Sequence, residues 1–359
     1  LAEAKKIATA HPDGMIDLSV GSPVDEVPQT VREALAEASN ASNAYGYPAT
    51  VGTAELQESL SEWFLTERKV DLGALNARVI PSVGSKEAVA LMASLLQLPS
   101  ESLVVQPKIS YPTYEIGTQL ANCRVAKVDV ADTDSWGNLG NVSMVWVNSP
   151  SNPTGETLNT EQLARIVETA RRIGAVVVSD ECYALLEWKE PSAAPSILDS
   201  RVCGSSAQGV LCLYSLSKQS NMAGYRTAFI AGDGEIVARM QEFRKQIGLI
   251  VPGPIQAAMV SALSDSDAVA VQKERYRARL CSLVEGLRSA GYDAAMPDGA
   301  LYVWVRALSG DCWNDIERLA HLGIIVSPGE FYGDRAYLRF SSTASDANIA
   351  KAVSRLQNL

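Results

Sequence analysis

The run Val210 to Tyr214 is wholly apolar and gives way at once to Ser215-Leu-Ser-Lys218, which restricts the fold of the chain more than any other stretch. An apolar run bounded by polar residues is a buried strand, and its polar continuation leaves the sheet at an end rather than through a face. Strand ends are where α/β proteins build ligand sites. At this one Lys218 stands with Ser215, Ser217 and, at the start of the next apolar run, Arg226. Partial desolvation disfavours the charged form of a lysine, so a neutral amine becomes accessible that can form an imine with an aldehyde. The serines and the arginine can hold an anion beside it, the arginine as a bidentate fork. A surface lysine followed by an arginine on the next strand satisfies this segment equally well, so other segments must decide.

Several do. Arg78 to Leu91 reads as a strand, a turn at Gly84-Ser85-Lys86 and a helix start, whose free N–H groups and positive dipole end suit a phosphate, though any capped helix looks similar. The strand Ser102 to Gln106 leads into Tyr111-Pro-Thr-Tyr114, where an aromatic can stack on a flat ring or pack in the core. Met144 to Asn148 is strand-like and runs into a loop of turn formers, Ser149 to Gly155, in which Asn152 is a fixed amide or a simple turn residue. A helix is predicted over 160–173 with Thr160 as its cap. Ala175 to Tyr183 is the most strand-like run and ends in Asp180 and Glu181. A carboxylate there can pair with a protonated ring nitrogen, ligate magnesium or cap a helix, and Tyr183 lies one turn onward.

The two ends of the chain read more simply. Ile16 to Val20 is a short strand before Gly21, which permits close backbone approach or merely a turn, and residues 45–52 form an irregular loop with Tyr45 and Tyr47. A long charged helix over 268–290 reads as a linker. Beyond it come strands at 292–296, 301–305 and 336–340 and helices at 311–321 and 344–356. Arg339, between Leu338 and Phe340, requires an anionic partner, since a buried unpaired charge is costly.

At 359 residues the chain is long enough for two domains sharing a cleft. The net charge of −10 and the lack of a basic stripe exclude a nucleic-acid partner. No apolar run spans a membrane and no charged-then-apolar leader opens the chain, so a cytoplasmic protein is expected. The six cysteines are scattered and read as reduced buried thiols, and with only His11 and His321 no histidine-based metal or triad site is expected.

Together these residues resemble the class I/II aminotransferases of pyridoxal-phosphate fold type I over nearly the whole chain. The resemblance rests on Ser215-x-x-Lys218 with Arg226 eight residues on, Asn152-Pro-Thr-Gly155, Asp180 with Tyr183, and Arg339, all in order. It implies an α/β fold with a large domain, a mostly parallel seven-stranded sheet between helices, plus a small α/β domain. The divisions are 1–44 contributing to the small domain, 45–266 binding the cofactor, 267–290 linking, and 291–359 as the small domain. It implies pyridoxal 5'-phosphate held as an imine by Lys218, which also moves the substrate proton. Asp180 would pair with the ring nitrogen, Asn152 and Tyr183 bond the ring oxygen, and Tyr111, rather than Tyr114, stack on the ring. Ser85, Lys86, Ser215 and Arg226 would bind the phosphate, with Tyr47 reaching that of the neighbouring subunit in a homodimer. Gly21, Asn152 and Arg339 would receive the amino-acid or 2-oxo-acid substrate. Segments such as Ser179-Asp-Glu-Cys-Tyr183 and Ser217-Lys-x-Ser-Asn-x-Ala-Gly-Tyr-Arg226 further resemble the succinyldiaminopimelate transaminases, which implies N-succinyl-LL-diaminopimelate and 2-oxoglutarate as substrates. Aspartate or aromatic aminotransferases, a carbon–sulfur lyase and a non-catalytic module on this fold are the rivals.

Overall fold

The computed structural model describes residues 1–189 and 194–359. Among them the strands are β1 (Ile16–Asp17), β2 (Ala77–Val83), β3 (Leu103–Pro107), β4 (Arg124–Val128), β5 (Val142–Asn148), β6 (Val176–Asp180), β7 (Val210–Ser215), β8 (Thr227–Asp233), β9 (Tyr302–Arg306), β10 (Ile324–Ile325), β11 (Ser327–Pro328) and β12 (Tyr337–Ser341). A seven-stranded sheet runs in the order β2-β8-β7-β6-β5-β3-β4. All its pairings are parallel except those of β8, which runs against both neighbours. The reason lies in the link from β7 to β8. It contains the single helical turn Leu216–Gln219 and a second short turn, too little chain for a parallel crossover.

Both faces of this sheet are covered, so its central strands are apolar throughout instead of alternating. Val145, Val177, Cys212 and Phe229 point into one core, and Met144, Val178, Leu213 and Ile230 into the other. The register brings the functional ends together: Asn148 pairs with Asp180, Asp180 with Leu213, Ser215 with Ala228, and Thr227 with Val83. One end of the sheet therefore collects the turns after β2, β5, β6 and β7 and the start of β8.

A second core joins the two ends of the chain. Ala4, Ala8, Ile16 and Leu18 pack with Tyr276, Leu280, Leu301, Ile324 and Phe340. Around it lie the antiparallel trio β11-β12-β9 and the parallel pair β1-β10. Of the first 44 residues, those up to Leu18 thus belong with the C-terminal strands, whereas Val31 in the helix Gln29–Ser39 packs into the main core.

Local details depart from the sequence reading. The segment 292–296 is not a strand, because its backbone groups are satisfied locally. The Ala294 amide donates to Tyr292 O, Arg288 Nε donates to Ala294 O at 2.6 Å, and the Tyr292 hydroxyl donates to Asp315. Only Ile16 and Asp17 of the expected strand 16–20 pair, since Asp17 turns to accept from the Ser19 amide and hydroxyl. Asn159, not Thr160, caps the helix Thr160–Ile173, in a reciprocal capping box with Gln162. The edge strand β4 is absent from the sequence reading: Arg124 and Lys127 are exposed on it, so it lacks an apolar run. Five of the six free cysteines are buried, and Cys281 is exposed.

Candidate active site

A cavity of about 560 Å³ lies where these strand ends meet the smaller core. Every residue singled out for the site from the sequence lines it except Tyr47, which is fully exposed outside it.

Lys218 projects from the helical turn after β7. Ser215 caps that turn by accepting from the Ser217 amide, and Leu216, Ser217 and Gln219 are buried around it, so the lysine's position is fixed by its neighbours. Its ammonium donates to the carbonyl of Gly21 on the N-terminal strip, residues 18–28 between β1 and the helix Gln29–Ser39. Behind it Ser215 Oγ donates to Ser217 Oγ or Thr227 O, at 2.8 and 3.1 Å.

The neighbouring turn after β2 is a cradle. Gly84 has φ +76° and a Cβ at that position would overlap the Arg226 guanidinium. It leads into the helix Ser85–Leu95, whose first turn has no side-chain cap. Free amides, the helix dipole and the Arg226 cation thus converge, an arrangement that suits a phosphate. Arg226 itself is held in a left-handed backbone conformation with its Nη1 on Ala223 O at 2.7 Å. Lys86 contributes its backbone here, its side chain being exposed.

Asp180 ends β6 inside the cavity. Burial pushes its carboxyl above the ordinary range, although the Cys182 amide and the Tyr114 hydroxyl, at 3.2 and 2.8 Å, oppose that shift. Tyr114 stacks on Trp146 with centroids 4.6 Å apart, so both its face and its hydroxyl are engaged. Tyr111 stands edge-on to it and lines the cavity wall.

Asn152 is fixed by its amide on Asn148 Oδ1, while Asn148 Nδ2 donates to Asp180 O and Pro150 O. The peptide bonds Ser149–Pro150 and Asn152–Pro153 in this loop are cis. Asn152 Oδ1 accepts from Arg339 Nη1 at 2.7 Å, and Arg339 Nη2 donates to Ser19 O at 2.7 Å. Arg339 is 5 % exposed and lies over the rings of Tyr302 and Tyr332 at 4.0 and 4.7 Å. Its Nε has no hydrogen-bond partner among the described residues. All its acceptors among the described residues are neutral, so it is a buried cation in need of an anion. Tyr183, pushed up by burial and by the nearby Tyr302, has its hydroxyl 2.7 Å from that of Tyr302.

Tyr302, Tyr332 and Asn148 were not singled out from the sequence. Asn148 ends β5, Tyr302 begins β9, and Tyr332 lies in the short turn Gly329–Tyr332 between β11 and β12. The pairing of β9 with β12, which sets Arg339 opposite Trp304 and Ser341 opposite Tyr302, brings Tyr302 to Arg339, and the pairing of β11 with β12 brings Tyr332, whose hydroxyl lies 3.2 Å from that of Ser327, the residue opposite Arg339. No cluster of metal-ligating side chains occurs among the described residues, and no helix among them is long and apolar enough to cross a membrane.

Comparison with known proteins agrees with this chemistry. The description "aminotransferase class I and II" matches residues 13–356. A probable aminotransferase of Mycobacterium tuberculosis is 45% identical over 99% of this chain and 83% of its own length. The 4-dedimethylamino-4-oxo-anhydrotetracycline transaminase OxyQ of Streptomyces rimosus is 42% identical over 98% of this chain and 96% of its own. A solved structure, the probable N-succinyldiaminopimelate aminotransferase of Thermus thermophilus, is 26% identical with a TM-score of 0.87, covering 99% and 98% of the two chains. With the fold, the lysine turn and the family match in agreement, the chain belongs to the class I and II aminotransferases, enzymes of fold type I that use pyridoxal 5'-phosphate.

Proposed function

We propose that the cavity holds pyridoxal 5'-phosphate against the strand ends and transfers the amino group of N-succinyl-LL-diaminopimelate to 2-oxoglutarate. The observation that carries the reading is Arg339, a buried cation surrounded by neutral acceptors and two aromatic rings at the cavity. An α-carboxylate is the anion it lacks, and a guanidinium takes one bidentately. The donor set also fits the cofactor: free helix amides and Arg226 for the phosphate, Asp180 for a ring nitrogen, Tyr111 for a ring face, and Asn152 and Tyr183 for a ring oxygen. Tyr47 of a second copy would complete the phosphate site in a homodimer.

When bound, the cofactor supplies an aldehyde that condenses with amines and a protonated ring that draws electrons from the substrate Cα. The chain's own side chains do the rest. Lys218 Nζ would hold the cofactor and, once displaced by the incoming amine, would as a neutral amine move the proton between the substrate Cα and the cofactor's former aldehyde carbon. Asp180, whose carboxyl burial raises, would pair as a carboxylate with a protonated ring nitrogen and so keep that nitrogen protonated. Arg339 would hold the carboxylate in the cavity that Lys218 also lines.

The substrate assignment rests on the local resemblance and on the named function of the Thermus structure. The 42% identity to a transaminase of a tetracycline-type oxo compound favours a second reading, a bulky cyclic acceptor. Specificity constants for N-succinyl-LL-diaminopimelate, aspartate, tyrosine and a tetracycline-type amine, with 2-oxoglutarate as acceptor, separate these readings. The first substrate is expected to lead by at least about tenfold, roughly 1.4 kcal/mol in transition-state binding. A lead of that size for any other removes the substrate assignment and leaves the aminotransferase.

A further inference from the structure

Three observations meet on Tyr302, the first residue of β9, which is 2 % exposed and lines the cavity. Its hydroxyl is 2.7 Å from that of Tyr183. Its ring face carries the Arg339 guanidinium carbon at 4.0 Å. Its hydroxyl also fills the space that a Cβ at Gly21 would occupy, on the strip whose carbonyl receives Lys218. A single side chain therefore touches the tyrosine assigned to the ring oxygen, the arginine assigned to the substrate carboxylate, and the backbone opposite the lysine.

The bond between the two hydroxyls has a direction set by proton count. Each hydroxyl has one proton to give. When Tyr183 donates to an acceptor in the cavity, it can only accept from Tyr302, so Tyr302 must be the donor between them. Donation into Tyr183 polarises it and strengthens the bond it makes in turn. We propose that Tyr302 is a positioning residue with two separable roles: its hydroxyl aims the Tyr183 proton at the cofactor's ring oxygen, and its ring face holds Arg339 ready for the α-carboxylate. This rests on the functional reading given above.

Two variants separate the roles. Tyr302→Phe deletes the hydroxyl and keeps the ring, and Tyr302→Leu deletes both. With Phe the anionic ring oxygen is less stabilised and holds its shared proton more tightly. The pH midpoint of the bound cofactor's absorbance then rises by about half a unit, the change expected when a supporting hydrogen bond is lost. That shift has the same sign as in Tyr183→Phe and is not additive with it, while KM for glutamate stays within about twofold. Leu adds a rise in KM of about fivefold to tenfold, the weight of a partly desolvated cation–π contact. Gly21→Ala, damaging to cofactor affinity alone, is partly rescued in the Tyr302→Phe background because the overlapping oxygen is gone. An unchanged midpoint in Tyr302→Phe, additivity with Tyr183→Phe, or a KM in the Leu variant equal to that in Phe overturns the proposal. If Lys218→Ala instead retains the wild-type absorbance, the underlying functional reading fails; if it loses it and the Tyr302 variants behave as wild type, only this inference does.

Discussion

The Asp180 carboxyl is pushed up by burial, so its folded-state value lies above that of the unfolded chain. The sign follows by linkage: the stability associated with this group is fully present below the ordinary carboxylate range and is lost as pH rises through the raised value. Asp180→Asn removes that slope. The apoprotein variant is expected to melt higher than wild type at pH 8 and alike at pH 4, while its cofactor dissociation constant rises because a neutral amide cannot ion-pair with a pyridinium. Thermal melts of both apoproteins and a spectrophotometric cofactor titration check it, and equal cofactor affinity would assign Asp180 a structural role only. Lys218→Ala is expected to keep the fold by circular dichroism but lose both the imine absorbance and turnover, since no other cavity lysine stands at that turn. Retained turnover would sink the assignment of the nucleophile.

Between strands and helices, the corner after β6 depends on a contact outside the cavity. Arg68 Nη2 meets Glu181 Oε2 at 2.9 Å, with side chains 5% and 1% exposed. Glu181 also accepts from the Ile197 amide and the Ser196 hydroxyl, so the residue next to Asp180 is tied to the helix Ala54–Glu67 and to the chain after residue 194. Removing one partner of a buried pair strands the other charge, which typically costs about 3–5 kcal/mol. Arg68→Met should lose stability on that order in urea unfolding, and Arg68→Met with Glu181→Gln should regain most of it. A double variant as unstable as the single one would place the loss in packing. The elements themselves were legible in the sequence: apolar runs of four or more residues became β5 to β8, and the helix over 160–173 appeared at its predicted bounds. What failed was short or amphipathic, as with β4, whose charges hide it, and 292–296, whose backbone is satisfied by one arginine and one turn.

In the whole molecule the cavity belongs to neither core alone. Asp180, Lys218 and Arg226 come from the main sheet, Arg339 and Tyr302 from the smaller one, and Gly21 from the strip between them. Asp25 on that strip is bidentate to Arg279 of the long helix Ser266–Ser289. Burial would raise its carboxyl, but Arg279 and Gln272 hold it below the ordinary range. Asn221, three residues beyond Lys218, donates to Gln272 of the same helix and to Glu26 O, so the lysine turn and the strip share one anchor. Tyr47, fully exposed in a single chain, is expected to complete the partner's phosphate site. Mixed Lys218→Ala and Tyr47→Phe chains should then give hybrid dimers with one native site each and more activity than either parent. An active monomer in gel filtration, or no recovery on mixing, would remove that role.

Chemical groups and their order along the chain were open to reading because they depend on neighbours within a strand or a turn. Lys218 after its apolar run, Asp180 at the end of another and Arg339 within a third are local patterns, each a polar group set beside residues that become buried. Convergence is not local. Arg339 bonds the carbonyl of Ser19, 320 residues away, and Tyr302 reaches Tyr183 across 119. Those contacts arise only when the N-terminal strip is buried in the C-terminal core and β9 pairs with β12. Tertiary structure alone therefore decided that the tyrosine beneath Arg339 also touches Tyr183, since a strand's alternation shows which side chains face inward and not what they meet there.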